Sequence, residues 1–138
     1  ANKLKQKLED QDKKFKQKLS SCKKKEIITS HTAFSYFAKR YGLKQVSITG
    51  ISPDEEPSTQ RLAEIANFAK KNNVKYIFFE SLVSPKLSET IANEVGAKTL
   101  VLDPIEGLTD EEIEKGKNYF TVMEDNLKNL QTALQCNE

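Results

Sequence analysis

His31 is the one histidine among 138 residues. It stands where a short β-branched run, Glu26 to Thr29, gives way to Phe34, Phe37, Ala38 and Tyr41 at helical spacing. In an open parallel sheet, such a strand-to-helix turn faces the crevice beyond the carboxyl ends of the strands, where ligands bind. The same edge should collect Asp54, Glu55 and Glu56 after a second strand, Glu80 at the end of a third, and Asp103 and Glu106 after a fourth. One imidazole among carboxylates suits a divalent metal such as zinc, which takes nitrogen and oxygen ligands. Hydrolysis with His31 as base is the rival chemistry, and it needs a nucleophile. No GxSxG elbow is present, and Ser30, Ser81, Cys22 and Cys136 are poorly placed to serve as one. Neither GxGxxG nor a P-loop occurs, so nucleotide binding has no motif to rest on. The carboxylates also have plainer uses. Asp103 before a proline suits a turn, Glu80 can accept hydrogen bonds from backbone amides, and the 54–56 cluster suits a solvated loop. Glu106, between a strand and a capped helix, is the carboxylate freest to point into the crevice.

The elements that must position these residues follow from periodicity. Residues 2–20 form a helix with a narrow stripe of Leu4, Leu8, Phe15 and Leu19, too sparse to stand without something to lie against. The strand at 26–29 and the helix after it end at Gly42, and Gln45 to Thr49 alternates as a second strand. The loop GISPDEEPS then breaks the chain, and Ser58 caps a helix carrying Leu62, Ile65, Ala66 and Ala69. Val74 to Phe79 reads as a third strand, nearly continuous in apolar residues as a strand covered on both faces should be. Ser84-Pro85 starts a helix ended by Gly96, Lys98 to Leu102 is a fourth strand, and Thr109 with Glu112 makes a capping box. One last helix follows, with a stripe of Phe120, Met123, Leu127, Leu130 and Leu134. It is long enough to lie along the opening helix and bring the two cysteines together. The expected fold class is α/β: a four-stranded parallel sheet flanked by helices and preceded by a long connecting helix.

The chain is long enough for one domain with its own core. At 37% hydrophobic and 30% charged it has a soluble globular composition, and it contains no apolar run of membrane-spanning length and no secretory leader. The net charge of +2 hides an asymmetry, because residues 1–25 carry ten lysines against Glu9, Asp10 and Asp12. A basic arm can mark nucleic acid or an anionic membrane. This one has no arginine and a single aromatic, so base reading is unsupported, no nucleic-acid partner is expected, and a solvated helix face is the plainer reading. Cys22 and Cys136 lack CxxC spacing and can form one long-range disulfide in an oxidising compartment.

Three separated segments, SHTAFSYFAKRYGL, GISPDEEPS and FFESLVSPKLSETIANEVGAKTLVLDPIEGLT, resemble the zinc-specific solute-binding lipoproteins of bacterial ABC importers, a family with manganese-binding and adhesin-like relatives. The resemblance implies a division into residues 1–24, an interlobe connecting helix cut at its start, and residues 25–138, the carboxyl-terminal α/β metal-binding lobe. In that family the metal sits between two lobes. His31 matches the third ligand and Glu106 the fourth, while two histidines of an amino-terminal lobe supply the others. Manganese-selecting relatives carry a carboxylate at the third position, so His31 favours zinc. Glu80 resembles a position that orients ligands without touching the metal.

The implied function is extracytoplasmic zinc capture, at the cell surface or in the periplasm, with delivery to an ABC permease. Zinc is then cargo and not a catalytic cofactor, and the protein is not an enzyme. The resemblance further implies that the amino-terminal lobe and a membrane-anchoring segment are missing from this sequence, leaving half a metal site. The alternatives are a surface adhesion module that meets a host or membrane partner, and a small α/β hydrolase-like enzyme.

Overall fold

The structure is a computed structural model and describes residues 2–30, 34–48, 57–80, 85–103, 110–116 and 118–136, with the side chains of 112 and 113 excepted. Its elements are α1 (Asn2–Ser20), β1 (Glu26–Thr29), α2 (Ser35–Arg40), β2 (Lys44–Ser47), α3 (Thr59–Lys71), β3 (Tyr76–Phe79), α4 (Lys86–Val95), β4 (Lys98–Val101), α5 (Asp110–Glu114) and α6 (Tyr119–Leu134). The α/β alternation expected from the sequence is present. The single four-stranded sheet is not. β1 pairs in parallel with β2, Ile28 opposite Val46, and β3 pairs in parallel with β4, Phe78 opposite Leu100. These are two separate two-stranded sheets. β1 and β3 run beside one another, but no ladder joins them among the described residues, and a sheet is continuous only where the ladder is.

Side-chain alternation along the strands divides the interior into two cores. Ile27 and Phe78 point to one face, where they pack with Phe15 and Leu19 of α1, Phe34 and Ala38 around α2, and Leu127, Leu130 and Leu134 of α6. Ile28 and Ile77 point to the other, against Ile65 and Ala69 of α3 and Ile91 and Ala92 of α4. The strands are therefore covered on both sides, which explains their unbroken apolar composition.

Four helices end the same way. Leu43 N–H donates to Ala38, Val74 to Ala69, Ala97 to Ala92 and Cys136 to Gln131, each at 2.8–3.0 Å. The residue before each donor is left-handed: Gly42 (φ 70°), Asn73 (φ 52°), Gly96 (φ 71°) and Gln135 (φ 55°). This six-to-one closure satisfies the last helical carbonyls and turns the chain sharply. After α2, α3 and α4 it turns the chain into the next strand. It also explains why β3 starts at Tyr76 although Val74 is buried: Val74's N–H is already committed to α3.

The single closing helix expected from the sequence is two helices. Gly116 at φ 76° breaks the chain after α5. Asn118 then caps α6, accepting from the Phe120 and Thr121 amides at 2.9 and 3.2 Å, while its own N–H donates to Thr121 Oγ1 at 2.8 Å. The expected Thr109–Glu112 capping box, and Ser84 as cap of α4, lie outside the described residues. Ser58 does cap α3, accepting from the Arg61 amide at 3.1 Å.

α1 lies along α6 as its stripe requires. Lys7 sits over the Phe120 ring, Lys14 pairs with Glu124 at 2.7 Å, and Cys22 is disulfide-bonded to Cys136. Contacts that advance together along both helices make the pair parallel. Phe15 and Leu19 are buried, whereas Leu4 and Leu8, in the first two turns of α1, are exposed. A second anchor joins α1 to the end of α2. Arg40 donates to both Asp12 oxygens at 2.8 and 2.7 Å, and the Tyr41 hydroxyl donates to the same carboxylate at 2.7 Å. The guanidinium holds the Asp12 carboxyl well below the usual range. Burial, with the neighbouring carboxylate, pushes Tyr41 up to about 12.

Candidate functional site

The carboxyl ends of the strands are fixed by polar side chains from the neighbouring strand and the surrounding helices. At the β1 exit, Gln45 Nε2 donates to Thr29 Oγ1 at 2.8 Å, and Ser35 Oγ donates to Gln45 Oε1 at 3.1 Å. One glutamine thus ties the last residue of β1 to the first residue of α2, on either side of the segment that contains His31. At the β2 exit, Arg61 donates to the Ser47 carbonyl at 2.7 Å. Ser88 Oγ, buried on α4, donates to the Phe78 carbonyl at 2.9 Å and holds β3.

The β4 exit is held by two asparagines of α6. Asn126 of α6 is buried, and its carboxamide pairs with both main-chain polar groups of one residue: the Asp103 N–H donates to Oδ1 at 2.9 Å, and Nδ2 donates to the Asp103 carbonyl at 2.8 Å. Asn129, one turn on, donates to the Val101 carbonyl at 2.7 Å. The side chains do here what another strand would do, and they hold the main chain from Val101 to Asp103, the last described residue before the segment that contains Glu106.

Polar residues gather at these ends. Ser30 follows β1 directly, Glu80 follows β3 directly, and Asp103 stands two residues beyond β4. Their exposures are 6%, 4% and 4%. Burying two carboxyl-bearing side chains at one edge of a fold is costly unless they are hydrogen-bonded or neutralised, and all three residues have polar interactions. His31, Glu106, Ser81 and residues 54–56 lie outside the described residues. Among the described residues, no three His, Cys, Asp or Glu side chains converge to hold a metal ion. Cys22 and Cys136 are bonded to each other at the opposite end of the strands, next to the β1 start, so neither serves a site at the exits.

Sequence reasoning missed Gln45, Arg61, Ser88, Asn126 and Asn129 as positioning residues. Asn126 had left a signal: it falls between Met123 and Leu130 on the otherwise apolar stripe of α6, and a buried amide there needs partners.

The family model described as the zinc-uptake complex component A, periplasmic, matches residues 1–133. The chain belongs to this family. It is 51% identical over 128 residues to the high-affinity zinc uptake system protein ZnuA of Bacillus subtilis, covering 93% of this chain and 40% of that protein. To the zinc-binding lipoprotein AdcA of Streptococcus pneumoniae it is 50% identical over 125 residues, or 91% of this chain and 25% of AdcA. Among solved structures it is similar to the laminin-binding protein Lmb of Streptococcus agalactiae, described as bifunctional with adhesin and metal-transporting activity. The TM-score is 0.86 at 41% identity, over 96% of this chain and 50% of that one. The chain therefore spans half or less of the length of these relatives. For this family, the positions that the sequence resemblance assigns to metal are His31 and Glu106, and the elements flanking both are the ones tied down by Gln45 and by Asn126.

Proposed function

We propose that this chain is one α/β lobe of an extracytoplasmic zinc-capture protein that hands the ion to an ABC-type permease. Residues 1–24 serve as the helix between lobes and residues 25–138 as the metal-binding lobe. His31 and Glu106 are its two zinc ligands, a second lobe supplies the rest of the shell, and a further segment anchors the protein to the membrane. Zinc is carried and not used in catalysis. The observation that carries this reading is the rigid framing of the two exits that flank His31 and Glu106, in a chain that belongs to a zinc-uptake family. An imidazole and a carboxylate are suitable zinc ligands, but two of them leave a tetrahedral shell open.

The chain alone should bind zinc weakly, and His31→Ala or Glu106→Ala should each abolish the binding. The test is zinc titration calorimetry with light scattering on the same samples. Tight one-to-one binding by a monomeric wild-type chain would overturn the half-site. The likeness to Lmb keeps an adhesion reading in play. Capture of laminin by this chain, unaffected by a zinc chelator, would favour it.

A further inference from the structure

The other end of the strands carries the opposite charge. Lys24 and Lys25 lead into β1, Lys44 opens β2, Lys75 precedes β3 and Lys98 opens β4. They are neighbours in space. The Lys44 N–H donates to the Lys25 carbonyl at 2.7 Å and the Lys98 N–H to the Lys75 carbonyl at 3.0 Å, which joins their main chains at this edge, while Lys44 stands opposite Glu26 and Lys98 opposite Tyr76 in the ladders. The Lys24 ammonium donates to the Asn73 carbonyl and bridges the two pairs. Within each ladder the strands are about 4.8 Å apart.

Lys23, Lys44, Lys75 and Lys98 are exposed. Lys70 and Lys71, in the last turn of α3, flank the row. Glu26, opposite Lys44 in the ladder, Glu89, which lines one hollow with Lys98, and Glu94 are acidic residues that the topology brings to this end among the described residues. The crowding has an electrostatic consequence: burial and then the charge of Lys75 push the Lys24 ammonium below its ordinary pKa. Part of the row has structural duties. Lys25 donates to the Leu19 carbonyl at the end of α1, and Lys44 lies over the Phe68 ring. Among the described residues, Lys23, Lys75 and Lys98 cap no helix.

We propose that this strand-entry edge binds a linear polymer of phosphate groups. Lysine is a point charge suited to phosphate without the fork geometry that arginine would impose, and a row of such charges matches a chain of repeating anions. A bilayer fits less well. The exposed large apolar residues Leu4, Leu8, Tyr36 and Tyr119 all lie on α1, α2 and the start of α6, so the row has nothing to insert among lipid chains. The strand exits stay open when this edge is occupied, and the proposal does not depend on the metal reading.

The probe is fluorescently labelled long-chain inorganic polyphosphate, followed by anisotropy with a chelator present so that zinc takes no part. The protein is compared with Lys23→Gln/Lys75→Gln/Lys98→Gln and with Lys3→Gln/Lys5→Gln/Lys13→Gln, which removes the same charge from exposed positions on α1. The row variant should bind at least tenfold more weakly and the α1 variant within twofold of wild type. Wild-type affinity should fall steeply between low and physiological salt, as counterion release requires. Equal losses in the two variants, absent wild-type binding, or binding to heparin or anionic vesicles without binding to polyphosphate would each overturn the proposal. If the row variant unfolds, the wild-type salt dependence decides, and a flat one refutes it.

Discussion

Replacing both cysteines, as Cys22→Ala/Cys136→Ala, probes how the two ends of the fold are held. The bond spans a sequence separation of 114 residues. In the chain-entropy account, a loop of that size restricts the unfolded state by about 4.8 kcal/mol at 25 °C, and native disulfides in practice contribute about 2–5 kcal/mol. Some of the junction survives without the bond. Lys23 N–H donates to the Gln135 carbonyl at 3.2 Å and Lys24 N–H to the Leu134 carbonyl at 3.0 Å, while Phe15 and Leu19 stay buried against α6. Those contacts exist only in the folded state and do nothing to restrict the unfolded chain, so they do not replace the entropic effect. At about 2.1 cal/mol/K per residue, unfolding a chain of this length carries about 0.29 kcal/mol/K of entropy, and the expected fall in Tm is about 7–17 °C. Thermal melts followed by far-UV circular dichroism, on wild type with and without reductant and on the double variant, measure it, and urea melts give the free energy. Reduced wild type and the variant should agree. A loss under about 1 kcal/mol would refute the reasoning, because the bond would then be restricting an unfolded state already held together.

Other substitutions test the framing of the site. Asn126→Ala strips both hydrogen bonds from the Asp103 peptide and opens a buried gap, and should cost about 2–4 kcal/mol; amide exchange should quicken at Asp103 beyond the global change, and a uniform change would contradict its local role. Asp12→Asn should loosen α1 from α2. Because the folded Asp12 pKa is depressed, its contribution is present above the unfolded value of about 3.9 and is lost as pH falls through the lower folded value. The difference in stability between wild type and Asp12→Asn should therefore narrow as pH drops below about 4. A gap that stays constant from neutral pH to pH 3 would show that the carboxylate's charge plays no part.

Much of this architecture could be read from the residues because local chemistry and tertiary demand agree. α1 and β1 begin and end where their patterns place them, Ser58 caps α3, Gly96 closes α4, and the stripe of α6 meets that of α1 with the cysteines joined. The misreadings have a common cause. Hydrophobicity marks what is buried, whereas strand limits depend on where each backbone N–H goes, and Val74 is buried without belonging to β3. Apolar spacing ran across Gly116 and Asn118, where a left-handed residue and a side-chain cap divide the helix. Pairing between strands is long-range and leaves no mark in a single strand's composition, so the separation into β1–β2 and β3–β4 was not legible. The same holds for the site: residue types pointed to the strand exits, but the partners of Gln45 and Asn129 are set only by the fold.

The central claim, that His31 is a zinc ligand, is open to one direct measurement. The chain has a single histidine, so its imidazole nitrogens give an unambiguous signal in a long-range nitrogen–proton correlation spectrum. During zinc titration one ring nitrogen of His31 should shift as it is metallated and the other should settle as the protonated partner, with backbone changes gathered around residues 29–35 and 101–110. A His31 ring unchanged at zinc concentrations that alter the rest of the spectrum would contradict the account.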